Sequence, residues 1–193
     1  MLRRAMIIAL FFTQVPYASA APIYTFPIAD CTVNYAHAHH DYAATDILAK
    51  VGCKFVAPID GVVDEVNRVD RWKGKTNLGI DRGGLFVSII GSDGVRYYGS
   101  HLKSIPANIQ PGVSVTAGTL LGNVGTTGSA RGTASHLHFA ISWPTAADIW
   151  WVRRGEVLPW KYLDAWKKGK DLSPVAEVNA RKAKVGALPA VPK

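Results

Sequence analysis

Short runs of apolar and β-branched residues, broken by glycine-rich turns, dominate residues 54–142 and predict β-strands. KFVAPIDGVVDEVNRV contains two such runs, divided at Asp60-Gly61, a pair that favours tight turns. LFVSIIGSDGVRYYGSHL has the same layout and predicts a β-hairpin that turns at GSDG. PGVSVTAGTLLGNVG and SHLHFAISW add further short strands. Together these strands predict a mostly β fold, an antiparallel sheet folded into a sandwich-like domain.

The flanking segments show other patterns. Residues 21–30 contain two prolines and predict an extended segment at a sheet edge. DRWKGKTNLGIDRGG is polar and basic, and it predicts a long loop of the kind that often carries function. ADIWWVRRG and WKYLDAWKKGK are compatible with short helices or turns. Residues 171–193 are small, basic and proline-punctuated, which predicts a flexible tail.

The first twenty residues have the layout of a secretory signal peptide. Two arginines precede an apolar run from Ala5 to Phe12, and Ala18-Ser19-Ala20 forms an A-x-A cleavage site. A membrane anchor is the weaker interpretation, because a spanning helix needs about 20 apolar residues. We therefore expect residues 1–20 to be removed and one domain over residues 21–170 to be exported, periplasmic or extracellular, without stable membrane insertion.

Charge and cysteine content refine this expectation. Lys and Arg number 22 against 14 Asp and Glu, but much of the basic excess lies near the C-terminus, so we predict no nucleic-acid partner. Cys31 and Cys53 are the only cysteines, and in an oxidising compartment two such residues usually form a disulfide. Zinc ligation by the cysteines is the weaker alternative, because no C-x-x-C motif is present. The sequence makes no prediction of the oligomeric state.

The six histidines fall into three short clusters. NYAHAHHDYAATDI holds three, YYGSHL holds one and SHLHFA holds two: His37, His39, His40, His101, His136 and His138. Alternate residues of a strand face the same side, so His136 and His138 are expected to share one face. The H-x-H pair is a weak signal by itself, because a structural pair on a polar face would look the same.

A zinc site explains the first and third clusters together. His40 and Asp46 supply a nitrogen and a carboxylate oxygen, and one imidazole of the H-x-H pair completes three protein ligands. A catalytic zinc typically has three protein ligands and leaves a fourth position for water. His101 is either an ordinary hydrogen-bonded strand histidine or an imidazole directed at a developing oxyanion.

HHDYAATDI, YYGSHL and GTTGSARGTASHLHF, in this order, resemble the lysostaphin- and LytM-type zinc metallopeptidases, which cut peptide bonds in bacterial cell walls. The similarity runs from about Cys31 to Ser142. It includes VGCKFVAPIDGVV, which resembles a hairpin sequence common in this family. It implies a LytM-type peptidase domain that binds one Zn²⁺ per chain through His40, Asp46 and His138. It also implies catalytic roles for His136, as the general base, and for His101, which helps to hold the tetrahedral intermediate.

One departure from the family pattern concerns the first ligand. The family's commonest spacing places three residues between the first histidine and the aspartate, and here Tyr42 occupies that slot. Five residues separate His40 from Asp46, so the loop must bulge. His40 is the predicted ligand, and His39, separated from Asp46 by six residues, is the alternative.

Three further residues have predicted roles outside the ligand set. His37 is expected outside the ligand set. Asp41 either orients a ligand imidazole or is an exposed loop residue. Trp72, in the basic loop, is expected to line a substrate groove.

The predicted function is an exported zinc endopeptidase that hydrolyses peptide bonds of peptidoglycan by means of metal-activated water. Peptidoglycan peptides are then its partners. The alternatives are a catalytically inactive LytM-like regulatory or binding domain, and a zinc peptidase with a substrate outside the wall. The presence of three candidate ligands and two auxiliary histidines favours an active enzyme.

Overall fold

The computed structural model describes residues 21–39 and 42–191. The predicted signal peptide and the residues His40 and Asp41 lie outside the described residues.

Two antiparallel sheets form the body of the described part. The strands are β1 Ile28–Ala29, β2 Thr45–Leu48, β3 Lys54–Val56, β4 Gly61–Asn67, β5 Phe86–Gly91, β6 Arg96–Ser100, β7 Leu102–Ser104, β8 Ser114–Val115, β9 Leu120–Val124 and β10 His136–Ser142. One sheet has the order β1-β3-β9-β7, and the other has the order β2-β10-β6-β5-β4-β8. The mostly β, antiparallel fold predicted from the strand pattern is confirmed.

Strand β10 shows how the alternation of apolar and polar residues determines which face of the sheet lies in the core. Leu137, Phe139 and Ile141 are fully buried in the main hydrophobic cluster. Phe55 and Leu121 of the smaller sheet contribute to the same cluster, so the core lies between the two sheets. Because side chains alternate along a strand, the histidines of β10 are directed to the other face.

The two predicted hairpins have different outcomes. Strands β5 and β6 form the expected hairpin, with Ile89 opposite Tyr97. Strands β3 and β4 do not pair, and the hairpin expected around Asp60-Gly61 is wrong: β3 pairs with β1 and β9, whereas β4 pairs with β5 and β8. Pro58 lies between them and has no N–H for a strand ladder. The chain therefore crosses from one sheet to the other at this point.

The predicted disulfide is confirmed. Cys31 and Cys53 are bonded, with their Cα atoms 5.9 Å apart. The bond ties the segment that follows β1 to the chain just before β3. It closes the loop that carries the first histidine cluster.

The C-terminal region contains three helices: α1 Trp150–Arg153, α2 Trp160–Lys167 and α3 Val175–Val185. Helix α3 lies where a flexible tail is expected, and that expectation is wrong for this stretch. Val178 is buried against the core, and the Trp143 indole donates a hydrogen bond to the carbonyl of Ala187 (2.9 Å). Val175, Val178 and Val185 pack against the same cluster, forming a sparse apolar stripe that the surrounding lysines and alanines obscure.

A buried ion cluster joins α1 to the larger sheet. The Arg96 side chain is completely buried and the Arg153 side chain is nearly so. Asp64 accepts a hydrogen bond from Nε of Arg96 and from Nη2 of Arg153, both at 2.7 Å. Glu65 accepts from the same two arginines.

Within the described residues, no helix is both long enough and apolar enough to cross a membrane.

Candidate metal centre

The strand register brings the histidine clusters together. Strand β10 lies between β2 and β6, and His138 is directly opposite Asp46 on one side and Ser100 on the other. Directly opposed residues of an antiparallel pair have Cβ atoms about 4.5–5.5 Å apart. His101 follows β6 immediately, so its ring also reaches this point, 5.9 Å from the His138 ring.

His138 and Asp46 are in direct contact. Nδ1 of His138 lies 2.9 Å from Oδ1 of Asp46. Burial alone would raise the pKa of the Asp46 carboxyl, but the hydrogen bond from His138 and the nearby imidazoles outweigh it and hold the pKa well below its usual range. The carboxylate is therefore ionised near neutral pH, as a metal ligand must be.

His39 is the third donor in the described part of the site. Its Nε2 is 3.8 Å from Oδ2 of Asp46, and its side chain is only 4% exposed. Its Nδ1–H can donate to the carbonyl of Tyr42 (3.0 Å), which leaves Nε2 with a lone pair. His40, the predicted ligand, lies outside the described residues.

The donor set fits a zinc ion. One ligand atom from each of His39, Asp46 and His138 lies within 4.8 Å of the others. Zinc binds imidazole nitrogen and carboxylate oxygen at about 2.0–2.2 Å, so small shifts would place all three atoms around one ion. Two histidines with one carboxylate is also a ligand set found in catalytic zinc sites.

Two further imidazoles stand beside these donors. His136 is held by a hydrogen bond from Nδ1–H to the carbonyl of Ala134 (2.8 Å), and its Nε2 is 3.9 Å from Oδ1 of Asp46. His101 makes the equivalent bond to the carbonyl of Thr127 (2.8 Å). The two rings meet edge to face with centroids 4.9 Å apart. Each ring thus keeps Nε2 available for a proton or a ligand.

His101 has an unusual backbone and an unusual pKa. Its φ is 65°, in the left-handed region that few non-glycine residues occupy. Burial, reinforced by the charges of His138 and His136, lowers the pKa of its imidazole to about 3. A neutral ring is consequently the form present at physiological pH.

These side chains open into one cavity of about 750 Å³. Trp72 and Asn77 of the basic loop line it, as do Thr133 and Ala134. Trp72 therefore lies where the sequence places it, on the wall of a groove. His37 lies apart from this group, 3.1 Å from Asp164 and stacked on Trp160.

Comparisons with known proteins agree with this geometry. A sequence model of Peptidase family M23 matches residues 40–148. The chain belongs to peptidase family M23. The M23 assignment confirms the resemblance drawn from the histidine motifs and makes the protein a metallopeptidase, a hydrolase of peptide bonds. No curated protein matches the chain significantly.

Solved structures of M23-type proteins have the same fold. The catalytic domain of lysostaphin from Staphylococcus simulans is 22% identical, with a TM-score of 0.52 over 68% of this chain and 92% of that one. A second structure, of the antimicrobial peptidase lysostaphin from Staphylococcus simulans, is 22% identical, with a TM-score of 0.56 over 81% of this chain and 60% of that one. A lytM protein from Ruminococcus gnavus is 24% identical, with a TM-score of 0.57 over 77% and 62%. The match thus spans about three fifths of the length of the last two.

Two residues of this M23 site escape prediction from the sequence motifs. Tyr42 follows the first histidine cluster, and its Oη is 3.3 Å from Nε2 of His138. Arg154, just beyond α1 and outside the matched residues, donates from Nη2 to the same oxygen at 2.6 Å. The carbonyl of Arg154 is also 3.3 Å from Nε2 of His138. In a metal-bound state, a proton on Nε2 directed at either partner would leave the Nδ1 lone pair for the ion, in place of the Nδ1–H that donates to Asp46 here.

Proposed function

We propose that this M23 peptidase is an exported zinc endopeptidase that hydrolyses peptide bonds in bacterial peptidoglycan. The observation that supports it most is the meeting of His39, Asp46 and His138 in the cavity that also contains His136 and His101. Three donors match the number of protein ligands that a catalytic zinc takes, and the two imidazoles beside them are suited to proton transfer and charge stabilisation.

Within this proposal, His39, Asp46 and His138 hold one Zn²⁺ per chain, and His40 remains the alternative to His39. When bound, zinc polarises the scissile carbonyl and lowers the pKa of water to near neutrality. Asp46 and His138 are held by paired strands, so they need little rearrangement to bind the ion.

His136 and His101 have separate roles in the proposed reaction. His136 has its Nδ1 occupied by the Ala134 carbonyl, so its Nε2 takes the proton of the attacking water and later delivers it to the leaving amine. His101 is oriented by Thr127 and is buried, which suits it to stabilising the oxyanion of the tetrahedral intermediate. Neither role needs a covalent intermediate with the protein.

Export is supported by the N-terminal sequence pattern and by the disulfide. Disulfides persist in oxidising compartments such as the periplasm and the extracellular space. The same proposal takes residues 1–20 as a signal peptide and residues 21–170 as the peptidase domain. The wall substrate is inferred by analogy with lysostaphin, which is described as an antimicrobial peptidase.

Mass spectrometry of purified wall fragments tests the proposal. The mature protein is incubated with fragments as prepared, after removal of metal with a chelator, and after addition of one equivalent of zinc. New amino termini are expected in the first and third samples only. His136→Ala, which removes no proposed ligand, should bind zinc but lose most of the cleavage. Cleavage that persists after complete metal removal would refute the mechanism, and zinc binding without any cleavage would favour a regulatory domain.

A further inference from the structure

Two arginines line the cavity of the metal centre without an acidic partner. Arg82 and Arg154 both face this cavity, and no carboxylate of the described residues lies within ion-pair distance of either. By contrast, Arg96, Arg131 and Arg153 each contact an aspartate at 2.7 Å. No carboxylate of the described residues therefore neutralises either guanidinium, and both can bind the anionic group of a ligand.

Arg154 is held rigidly in this position. Its guanidinium lies over the Tyr42 ring, 4.7 Å from the centroid, and over the Trp150 ring at 5.5 Å. Nη2 donates to Tyr42 and Nη1 donates weakly to the carbonyl of Gly79 (3.5 Å). A guanidinium has five N–H donors, so most of them remain available. Because the side chain is already ordered, an incoming anion would lose little affinity to ordering it.

Arg82 lines the same cavity from the basic loop. Its Nε donates to Oδ1 of Asn77 (3.1 Å), which also accepts from the Trp72 indole (3.1 Å). This hydrogen bond holds the Arg82 guanidinium at the cavity wall.

The guanidinium of Arg154 is also close to the proposed reaction centre. Contacts of 2.6 Å and 3.3 Å, which meet at the Tyr42 hydroxyl, connect its Nη2 to Nε2 of His138. These contacts place an anion-binding side chain beside the proposed ligand His138. Asp46 is the single carboxylate that lines the cavity in the described part, and it is a proposed metal ligand.

We propose that Arg154, together with Arg82, binds a carboxylate on the substrate residue adjacent to the scissile bond. The preferred substrates are then wall peptides that carry a free carboxylate at that residue rather than a carboxamide. This inference rests on the proposed peptidase function. Arginine and carboxylate form short, bidentate, charge-assisted hydrogen bonds, and losing such a pair is expected to lower kcat/KM by about 10-fold or more.

The test compares matched synthetic peptides around the bond that wall digestion identifies. One pair differs in carboxylate against carboxamide on the residue before the bond, and a second pair differs on the residue after it. The wild-type protein should prefer the acid about 10-fold in one of the two pairs. Arg154→Gln and Arg82→Gln should reduce this preference, and Arg154→Lys should retain part of it. Arg71→Gln, the same change at an exposed position outside the cavity, should leave it intact.

The preference distinguishes recognition from a structural role. If Arg154 only positions Tyr42, Arg154→Gln slows both members of a pair equally, and that result overturns the inference. Equal wild-type rates on acid and amide in both pairs also overturn it, while the endopeptidase function stands. If neither peptide nor wall material is cleaved, the proposed function fails, and the inference fails with it.

Discussion

The substitution Asp64→Asn tests how much the buried ion cluster contributes to the free energy of unfolding. The substitution keeps the size of the side chain but removes one of the two negative charges that face two buried arginines. Arg96 and Arg153 have 0% and 6% of their side chains exposed, so water cannot replace the lost carboxylate. Removing one partner of a buried ion pair costs about 3–5 kcal/mol. Glu65 remains within 2.7 Å of Arg153, so we expect the lower end, about 3 kcal/mol.

Urea unfolding of the oxidised protein, followed by tryptophan fluorescence, measures this loss of unfolding free energy. In thermal unfolding, 1 kcal/mol corresponds to about 2–4 °C in Tm for a chain of this length, so the Tm of Asp64→Asn should be roughly 6–12 °C lower. Asp30→Asn is the matched control, because the Asp30–Lys54 pair is exposed on both sides and should contribute 0–1 kcal/mol. A loss below 1 kcal/mol for Asp64→Asn would show that Glu65 alone neutralises the cluster, contrary to this reasoning.

The same residue gives a pH dependence with a defined sign. Burial would raise the pKa of the Asp64 carboxyl, but the charges of Arg96 and Arg153 and the hydrogen bonds that it accepts lower it below its usual value. A carboxyl with a lowered folded pKa stabilises the protein above the unfolded pKa of about 3.9, and that stabilisation disappears as the pH falls through the folded pKa. The difference in unfolding free energy between wild type and Asp64→Asn should therefore narrow below about pH 4.

Two further predictions concern the site and its support. His39→Ala should lose bound zinc, measured by elemental analysis after dialysis, whereas His40→Ala should retain about one zinc per chain; the reverse result would restore His40 as the ligand. Gly155→Ala should destabilise the protein by about 2–4 kcal/mol in urea unfolding, because φ is 139° and an added Cβ would meet the Ala43 carbonyl oxygen at 2.1 Å. Gly169→Ala, also at positive φ but in open space, is the control and should cost about 1–2 kcal/mol; equal losses would contradict the steric argument.

Features encoded by local periodicity could be predicted from the sequence. The alternation of Leu137 and Phe139 with histidines places the H-x-H pair on a single strand face, and the turn at GSDG identifies the β5–β6 hairpin. The two cysteines predict their own pairing because the sequence contains no third cysteine. In each case the signal lies within a few residues or in the count of one residue type.

Features that depend on distant partners could not be predicted. Arg96 contacts Asp64 and the carbonyl of Arg153, 32 and 57 residues away, and burial of an arginine runs against the usual preference of charged residues for the surface. Arg154 reaches Tyr42 across 112 residues, and neither residue belongs to a motif that indicates this contact. The separate sheets of β3 and β4 likewise depend on their neighbours rather than on Asp60-Gly61 itself.

The division of the proposed ligand set between sheet and loop has a consequence for how such sites tolerate insertions and deletions. Asp46 and His138 are fixed by strand pairing, where a shift of one residue would turn either side chain to the wrong face. His39 is carried by a connection whose ends are anchored at the disulfide and at β2, and lengthening a loop costs only about 0.6 kcal/mol for each doubling. Insertions therefore cost little before the aspartate and are prohibitive within the strands, so the loop can carry the proposed ligand His39 at a changed spacing from Asp46 while the strand residues stay fixed.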